Sequence, residues 1–293
     1  MLPNPLRATL VRAGALSPSV IATASDAIRD AGGTPGQGTW LDAGDACALD
    51  ITGLSFVQAR DALEAALPDV DVIVQDAAVP VRRRLLIADM DSTMIQCECI
   101  DELADYAGLK PQVAAITEAA MRGELDFVAA LDARVALLKG MDAGVIDRCR
   151  AERVRLMPGA KTLVATMRAN GARAVLVSGG FTAFADPVGA ELGFDRVVAN
   201  RLEVAAGVLT GTVARPVVDA ATKLAELRAS RIAAEAALAV GDGANDIPMI
   251  AAAGLGIAYH AKPKTAAAAA AHVRHGDLTV LLWAQGYRRS DWV

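Results

Sequence analysis

The sequence predicts an α/β protein: a Rossmann-like parallel sheet interrupted by a helical insertion and preceded by a ferredoxin-like α+β domain. Three observations carry that prediction. The first 80 residues alternate short strand-like and helix-like patterns in the order βαββαβ. From about residue 82, short aliphatic runs end in polar or glycine-rich segments, as buried parallel strands do. Between the first two of those runs lies a long stretch of helical pattern without a strand signal.

Each element follows from local pattern. Strands are expected at Ala8–Val11, Gly38–Leu41, Cys47–Ile51 and Val70–Val74, and helices at Ser17–Ala31 and Ser55–Leu67. Ser17 and Ser55 suit the N-cap, where a hydroxyl accepts from a free backbone N–H, and Gly32-Gly33 suits a helix stop. Pro80 to Arg84 marks a boundary, dividing the chain into 1–80 and 81–293. Three arginines there could grip a nucleic acid, but a solvated linker is the commoner use in an acidic chain. The run Leu85 to Ala88 is the first strand of the second part. Residues 98–155 read as an inserted helical cap, with Leu131, Val135 and Leu138 suited to one buried face.

Beyond the insertion the pattern predicts a helix over Ala160–Ala169, the strand Arg173–Val177 and a helix over Thr182–Leu192. A strand near Val197–Ala199, a hairpin over Arg201–Thr212 with Gly207 and Gly211, a helix over Asp219–Ser230 and the strand Ala236–Val240 follow. Ile257–Tyr259 reads as a short final strand, and the alanine run Ala266–Ala271 as helix, alanine being the strongest helix former.

Composition narrows the function. A chain of 293 residues exceeds one average domain and can bury a core. Its net charge of −5 argues against a nucleic-acid partner and leaves small metabolites. No apolar stretch reaches the roughly 18 residues needed to span a bilayer, and Pro3, Pro5, Arg7 and Arg12 break the start, so a soluble cytoplasmic chain without a membrane partner is expected. The gap between Cys97 and Cys99 matches neither a redox pair nor a zinc half-site, so reduced, structural thiols are expected of all four cysteines. His272 and His275 could share a helix face, but no carboxylate or cysteine at useful spacing completes a zinc site, and His260 reads likewise as a surface or capping residue.

Chemistry concentrates at a few points. Asp89 and Asp91 follow the run Leu85–Ala88, where a parallel sheet delivers side chains to its carboxyl edge. Alone, Asp-x-Asp is an ordinary turn motif. Three further signals follow in order: Ser178-Gly179-Gly180 after one strand pattern, Lys223 on a helical pattern, and Gly241 to Asp246, containing Asp242 and Asn245, after another. Together these residues can attack a phosphate, hold a hard cation and cradle phosphoryl oxygens. Lys223 by itself would pass for a solvated helix lysine.

With these four motifs the chain resembles the haloacid dehalogenase (HAD) superfamily of aspartate-nucleophile phosphatases, and within it the phosphoserine phosphatases. The resemblance covers about residues 82–285, and its narrower part rests on Glu98, the segment Met121 to Phe127, and Arg134. It implies that Asp89 is the nucleophile and Asp91 the general acid and base. It further implies one Mg²⁺ held by Asp89, the Asp91 main-chain carbonyl and Asp242. Lys223, Ser178, Gly179, Gly180 and Asn245 would bind phosphate, and Asp246 would support Lys223 or the metal's waters. Glu98 would take the substrate ammonium and Arg134 its carboxylate, with Met121 and Phe127 walling the pocket. Asp89 is expected to be ionised near neutral pH, as an unperturbed aspartate is. The N-terminal part looks like an ACT-type module, which implies an amino-acid ligand or a homodimer contact, with a ligand-free docking scaffold as the alternative. Hydrolysis of another small phosphate ester, phosphoryl transfer to an acceptor such as homoserine, and a regulatory amino-acid-binding protein with an inactive core remain the competing readings.

Overall fold

The computed structural model describes residues 4–79, 81–121 and 124–293, excepting the side chain of Met121. The N-terminal part runs β1 (Leu6–Val11), α1 (Pro18–Asp30), β2 (Thr34–Pro35), β3 (Thr39–Asp42), β4 (Ala46–Thr52), α2 (Phe56–Ala66) and β5 (Asp71–Asp76). Strand β1 lies between β4 and β5, antiparallel to both, and β2 and β3 pair with β4. This is the strand order of a split βαβ sandwich, with the two-residue β2 as an addition the sequence did not announce. Ser17 caps α1 by accepting from the Val20 N–H at 3.4 Å, and Ser55 and Gln58 form a reciprocal capping box on α2.

Strand alternation decides how this sheet is used. Val72 and Val74 point into the cluster made with Ala24, Ile28, Ala59 and Leu63 of the two helices, whereas Ile73, Val11 and Ala46 join the main core. The sheet is therefore buried on both faces.

The second part runs β6 (Leu85–Ala88), α3 (Cys99–Tyr106), α4 (Lys110–Met121), α5 (Phe127–Ala136), α6 (Gly144–Arg153), α7 (Ala160–Ala169), β7 (Arg173–Phe181), α8 (Thr182–Leu192) and β8 (Arg196–Asn200). It continues through β9 (Leu202–Ala205), β10 (Val208–Val213), α9 (Ala220–Ala229), β11 (Ala237–Gly241), α10 (Ile247–Ala252), β12 (Leu255–Tyr259), α11 (Pro263–Ala268), β13 (Ala271–Val273) and α12 (Val280–Ala284). The main sheet has the order β13-β12-β11-β6-β7-β8 and is parallel throughout. The chain leaves β6 toward β7 and β8, then returns to build the other side from β11, so the order reverses between β6 and β11. Open α/β sheets bind ligands outside the carboxyl ends of their strands at such a switch point.

Three expectations need correction. The alanine run does not stay helical: α11 ends at Ala268, and Ala271 enters β13, which pairs with β12. Ala271 and Val273 are buried there, and tertiary pairing outweighs the helix propensity of alanine. Ile257–Tyr259 is accordingly not the final strand. His272 sits in β13 and His275 just after it, so the helix face they were to share does not form.

The two parts meet tightly. Asp71, at the start of β5, is 1% exposed and accepts three backbone N–H groups from the loop after β13: Arg274 at 2.6 Å, His275 at 3.2 Å and Gly276 at 2.7 Å. Gln75 donates to the Ala284 carbonyl at 2.7 Å and accepts from the Arg83 guanidinium at 2.5 Å. Among the described residues no helix is long and apolar enough to cross a membrane.

Candidate active site

The end of β6 delivers Asp89, and its backbone N–H donates to Val240 of β11 at 3.0 Å, which ties the two strand ends together. Met90 is fully buried, and Ser92 takes a left-handed φ of 55°, so the chain turns sharply just after Asp91. Both aspartates line a cleft of about 340 Å³ with Ser178, Gly179 and Gly180 from β7, and Asp242 and Asn245 beyond β11. The inserted helices close the cleft with Glu98, Asp101, Thr117, Phe127, Leu131 and Arg134.

Lys223 lies one turn into α9, whose N-cap is Asp219, and it is fully buried. Its ammonium donates to Asp89 Oδ1 at 2.5 Å and to Asp246 Oδ1 at 2.6 Å, while the other Asp246 oxygen accepts from the Gly243 N–H at 3.0 Å. Burial alone would discharge this lysine, but Asp246 and Asp89 reverse that and hold its pKa above the ordinary range.

The carboxylates are crowded. Asp89, Asp242 and Asp246 each offer an oxygen within 4.8 Å of the others. Burial, then Asp246, raises Asp89 well above the usual carboxylate range despite the opposing pull of Lys223. Asp89 therefore does not titrate as a free aspartate would: burial and Asp246 shift it upward, and Lys223 or any further positive charge pulls toward the ionised form. Burial, then Asp246 and Glu98, pushes Asp242 up to about 7. Three carboxylates facing one ammonium leave two negative charges, and all the donors are hard oxygens, so these residues fit one divalent cation.

Asp91 differs from Asp89 in its partners. Burial, then Glu98 and Asp89, raises it well above the ordinary range, and its Oδ1 is buried with no hydrogen-bond partner. Glu98 is fixed in turn by Ser92 Oγ, which donates to it at 2.8 Å. Arg134 lines the cleft and donates through Nε to the Ala130 carbonyl one turn back at 3.2 Å.

Ser178, Gly179 and Gly180 extend the strand beyond Val177, where its pattern was expected to end. They finish β7, and α8 begins at Thr182. A β-carbon at Gly179 would come within 3.2 Å of the Phe127 ring, and one at Gly180 within 2.9 Å of Asp91 Oδ2, so side chains are excluded where the cleft narrows. Met121 is the last residue of α4, and its side chain lies outside the described residues.

Sequence reasoning missed four polar contributors. Asp101 and Thr117 line the cleft from the insertion; Asp101 is three residues after Glu98, a helical spacing that could have signalled it. Lys262, after β12, reaches the cleft with no local signal. Asn200, at the end of β8, hydrogen-bonds the Gly179 carbonyl at 2.9 Å from outside the cleft.

A carboxylate-rich cleft at the switch point of a parallel sheet, closed by inserted helices, defines a class of α/β hydrolytic fold. The family model of the haloacid dehalogenase-like hydrolases matches residues 86–251, and the chain belongs to that family. It is 49% identical over 232 residues to a phosphoserine phosphatase of Mycobacterium tuberculosis, an alignment covering 78% of this chain and 56% of the relative. The chain thus spans little more than half of that relative's length. A crystal structure of a probable phosphoserine phosphatase from Vibrio cholerae superposes with a TM-score of 0.77 at 36% identity, over 96% of this chain and 86% of that one. A phospho-aspartyl intermediate analogue of phosphoserine phosphatase gives a TM-score of 0.64 at 36% identity, over 69% of this chain and 98% of that one.

Proposed function

We propose that the protein hydrolyses O-phospho-L-serine to L-serine and phosphate through a phosphoryl group carried on Asp89, with one Mg²⁺ at the carboxylate cluster. The observation that carries this reading is that one cleft contains both Asp89, beside a buried ammonium, and the pair Glu98 and Arg134 from the inserted helices. The former suits a phosphate, the latter an amino acid's two charges. The names of the relatives at 49% and 36% identity support the same substrate. Residues 81–293 form the catalytic unit, residues 98–155 its cap and residues 1–80 an N-terminal module packed against it.

Asp89, Asp242 and the Asp91 main-chain carbonyl would hold Mg²⁺, which when bound neutralises charge on the phosphate and on the carboxylates. Two unit charges 4 Å apart repel by roughly 4 kcal/mol at an effective dielectric of about 20, so that neutralisation is required before two anions can meet. The Asp89 carboxylate attacks phosphorus, and the bond from phosphorus to the serine oxygen breaks. Asp91, whose hold on a proton is strengthened by burial, gives its proton to the departing oxygen. It then takes a proton from the water that attacks the aspartyl-phosphate, releasing phosphate and restoring Asp89. Lys223, Ser178 and the backbone N–H groups of Gly179 and Gly180 hold the phosphoryl oxygens, and Asn245 orients the phosphate. Asp246 keeps Lys223 in place. Glu98 takes the ammonium of the substrate and Arg134 its carboxylate, with Phe127 as an apolar wall.

The test is phosphate release from a panel of phosphomonoesters with Mg²⁺, with homoserine added as an alternative acceptor. Phosphoserine should be turned over fastest, by transfer to water, and Asp89→Asn should abolish turnover. Preference for another ester, or formation of phosphohomoserine at the expense of phosphate, would overturn this assignment.

A further inference from the structure

The strand carrying Ser178, Gly179 and Gly180 departs from its neighbour at those residues. Val177 pairs with Val198 and Phe181 with Asn200, so three residues of β7 span the interval that Ala199 alone fills on β8. Such a bulge re-aims the backbone and leaves ladder groups unpaired. The Gly180 N–H donates to Ser178 Oγ at 2.9 Å, and the side chain of Asn200 takes up the Gly179 carbonyl. Asn200 is 2% exposed, and its Nδ2 donates to the Gly179 carbonyl at 2.9 Å. Toward the other side, Nδ2 donates to the Val218 carbonyl at 3.4 Å and Oδ1 accepts from the Val218 N–H at 2.7 Å. Val218 immediately precedes Asp219, the N-cap of the helix that holds Lys223.

We infer that Asn200 is a positioning residue that fixes the distance between the phosphoryl-binding arc at Gly179 and Gly180 and the Lys223 ammonium. One amide thereby joins the two groups that must converge on a single transferring phosphoryl group. Binding the Gly179 carbonyl orients the peptide that links Gly179 to Gly180, and the two-point contact with Val218 sets the start of α9. An apolar side chain of similar size would leave a buried carbonyl and N–H without partners. Aspartate would keep the bond from the Val218 N–H but lose both donations, and it would bring a negative charge against the Gly179 carbonyl. This inference rests on the proposed phosphoryl transfer but not on the choice of phosphoserine as substrate.

Asn200→Asp keeps the bond from the Val218 N–H and loses both donations, whereas Asn200→Ala loses all three bonds, so the two variants perturb the start of α9 to different extents. Steady-state turnover of the Mg²⁺-loaded protein would be measured with phosphoserine and with an aryl phosphate, alongside thermal unfolding and calorimetric titration with orthovanadate, a mimic of the five-coordinate phosphoryl group. Asn200→Asp should unfold at a lower midpoint than the parent, because it buries an unpaired charge, yet at a temperature where it is fully folded it should lose about tenfold or more in kcat, with KM changed much less, because displaced donors act chiefly on the transition state. Vanadate affinity should fall in parallel with kcat/KM in both variants. A folded Asn200→Asp variant with parental kcat and vanadate affinity would overturn the inference, as would losses in Asn200→Ala that vanish at a temperature where it is fully folded. If the parent hydrolyses the aryl phosphate but not phosphoserine, the substrate assignment fails while the vanadate and aryl phosphate readings still decide the role of Asn200. If the parent hydrolyses neither, vanadate titration alone decides it.

Discussion

The Lys223 ammonium meets Asp89 Oδ1 at 2.5 Å from inside the protein, and the two side chains are only 0% and 7% exposed. A charge so buried is tolerable only because its partners are charged as well. Lys223→Met should therefore act on both activity and stability. Turnover should fall by about 10²-fold or more, as for loss of a preorganised cation at developing charge. Unfolding in urea at pH 8 should show a loss of about 3 kcal/mol from the stranded carboxylates. At pH 5.5 that loss should shrink, because Asp89, already raised by burial, can then take up a proton. A pH-independent loss would show that the cost is one of packing alone.

Asp91 is assigned the proton that the leaving serine oxygen needs. Asp91→Asn should slow phosphoserine hydrolysis by about 10²- to 10⁴-fold, the usual contribution of a general acid. With an aryl phosphate, whose leaving group needs no proton, the first step should survive and water attack should become limiting. Rapid mixing should then reveal a burst of phenolate equal to the enzyme concentration. Equal slowing on both substrates, without a burst, would point to a role for Asp91 in binding alone.

Arg134 should matter only to substrates that carry a carboxylate. Arg134→Ala should lower kcat/KM for phosphoserine by about 10²-fold, the scale on which a desolvated charged group left without its partner acts. Aryl phosphate hydrolysis should change by no more than about threefold. Equal losses on the two substrates would refute the carboxylate assignment.

Asp242, pushed up to about 7, should set the pH dependence of cation binding. A carboxyl group whose folded pKa is raised contributes stability below its unfolded pKa, near the ordinary value for aspartate, and that contribution is lost as pH rises through 7. The cation-free protein should therefore lose stability between pH 5 and pH 8. Mg²⁺ requires the ionised carboxylate, so its affinity should rise by about tenfold per pH unit up to about 7 and then level off. The rise in unfolding temperature on adding Mg²⁺ should be larger at pH 8 than at pH 5.5, and Asp242→Asn should remove the difference. An equal rise at both pH values would exclude Asp242 as the controlling group.

Asp71 joins the N-terminal sheet to the loop after β13 through three backbone N–H groups. Asp71→Ala should cost about 3 kcal/mol in urea denaturation, since it strands buried donors that were bonded to a charged acceptor. A loss below about 1 kcal/mol would mean that water replaces the carboxylate there. His275, whose ring nitrogen also contacts the Pro68 carbonyl at 2.8 Å, belongs to the same junction.

Much of the molecule was legible from the residues alone. Ser17 and Ser55 cap their helices through bonds to residues three positions on, and such local chemistry can be read from spacing. Aliphatic runs marked the strands β6, β7 and β11, and the residues at their ends carried the chemistry. The misreadings share a cause. Ala271 and His272 became a strand because a partner, β12, lay alongside them, and Ser178 to Gly180 stayed in β7 because β8 and Asn200 hold them there.

The order of chemically useful residues, from Asp89 to Asp246, was set by sequence alone, because a short strand and the turn after it are local matters. Only the tertiary structure decided that β6 pairs with β11, about 150 residues away, and so brought Asp89, Asp242, Asp246 and Lys223 together out of water. Their titration shifts arise from that shared burial, as does the fit for a divalent cation: a carboxylate's charge state depends on its neighbours in space, which spacing along the chain does not reveal.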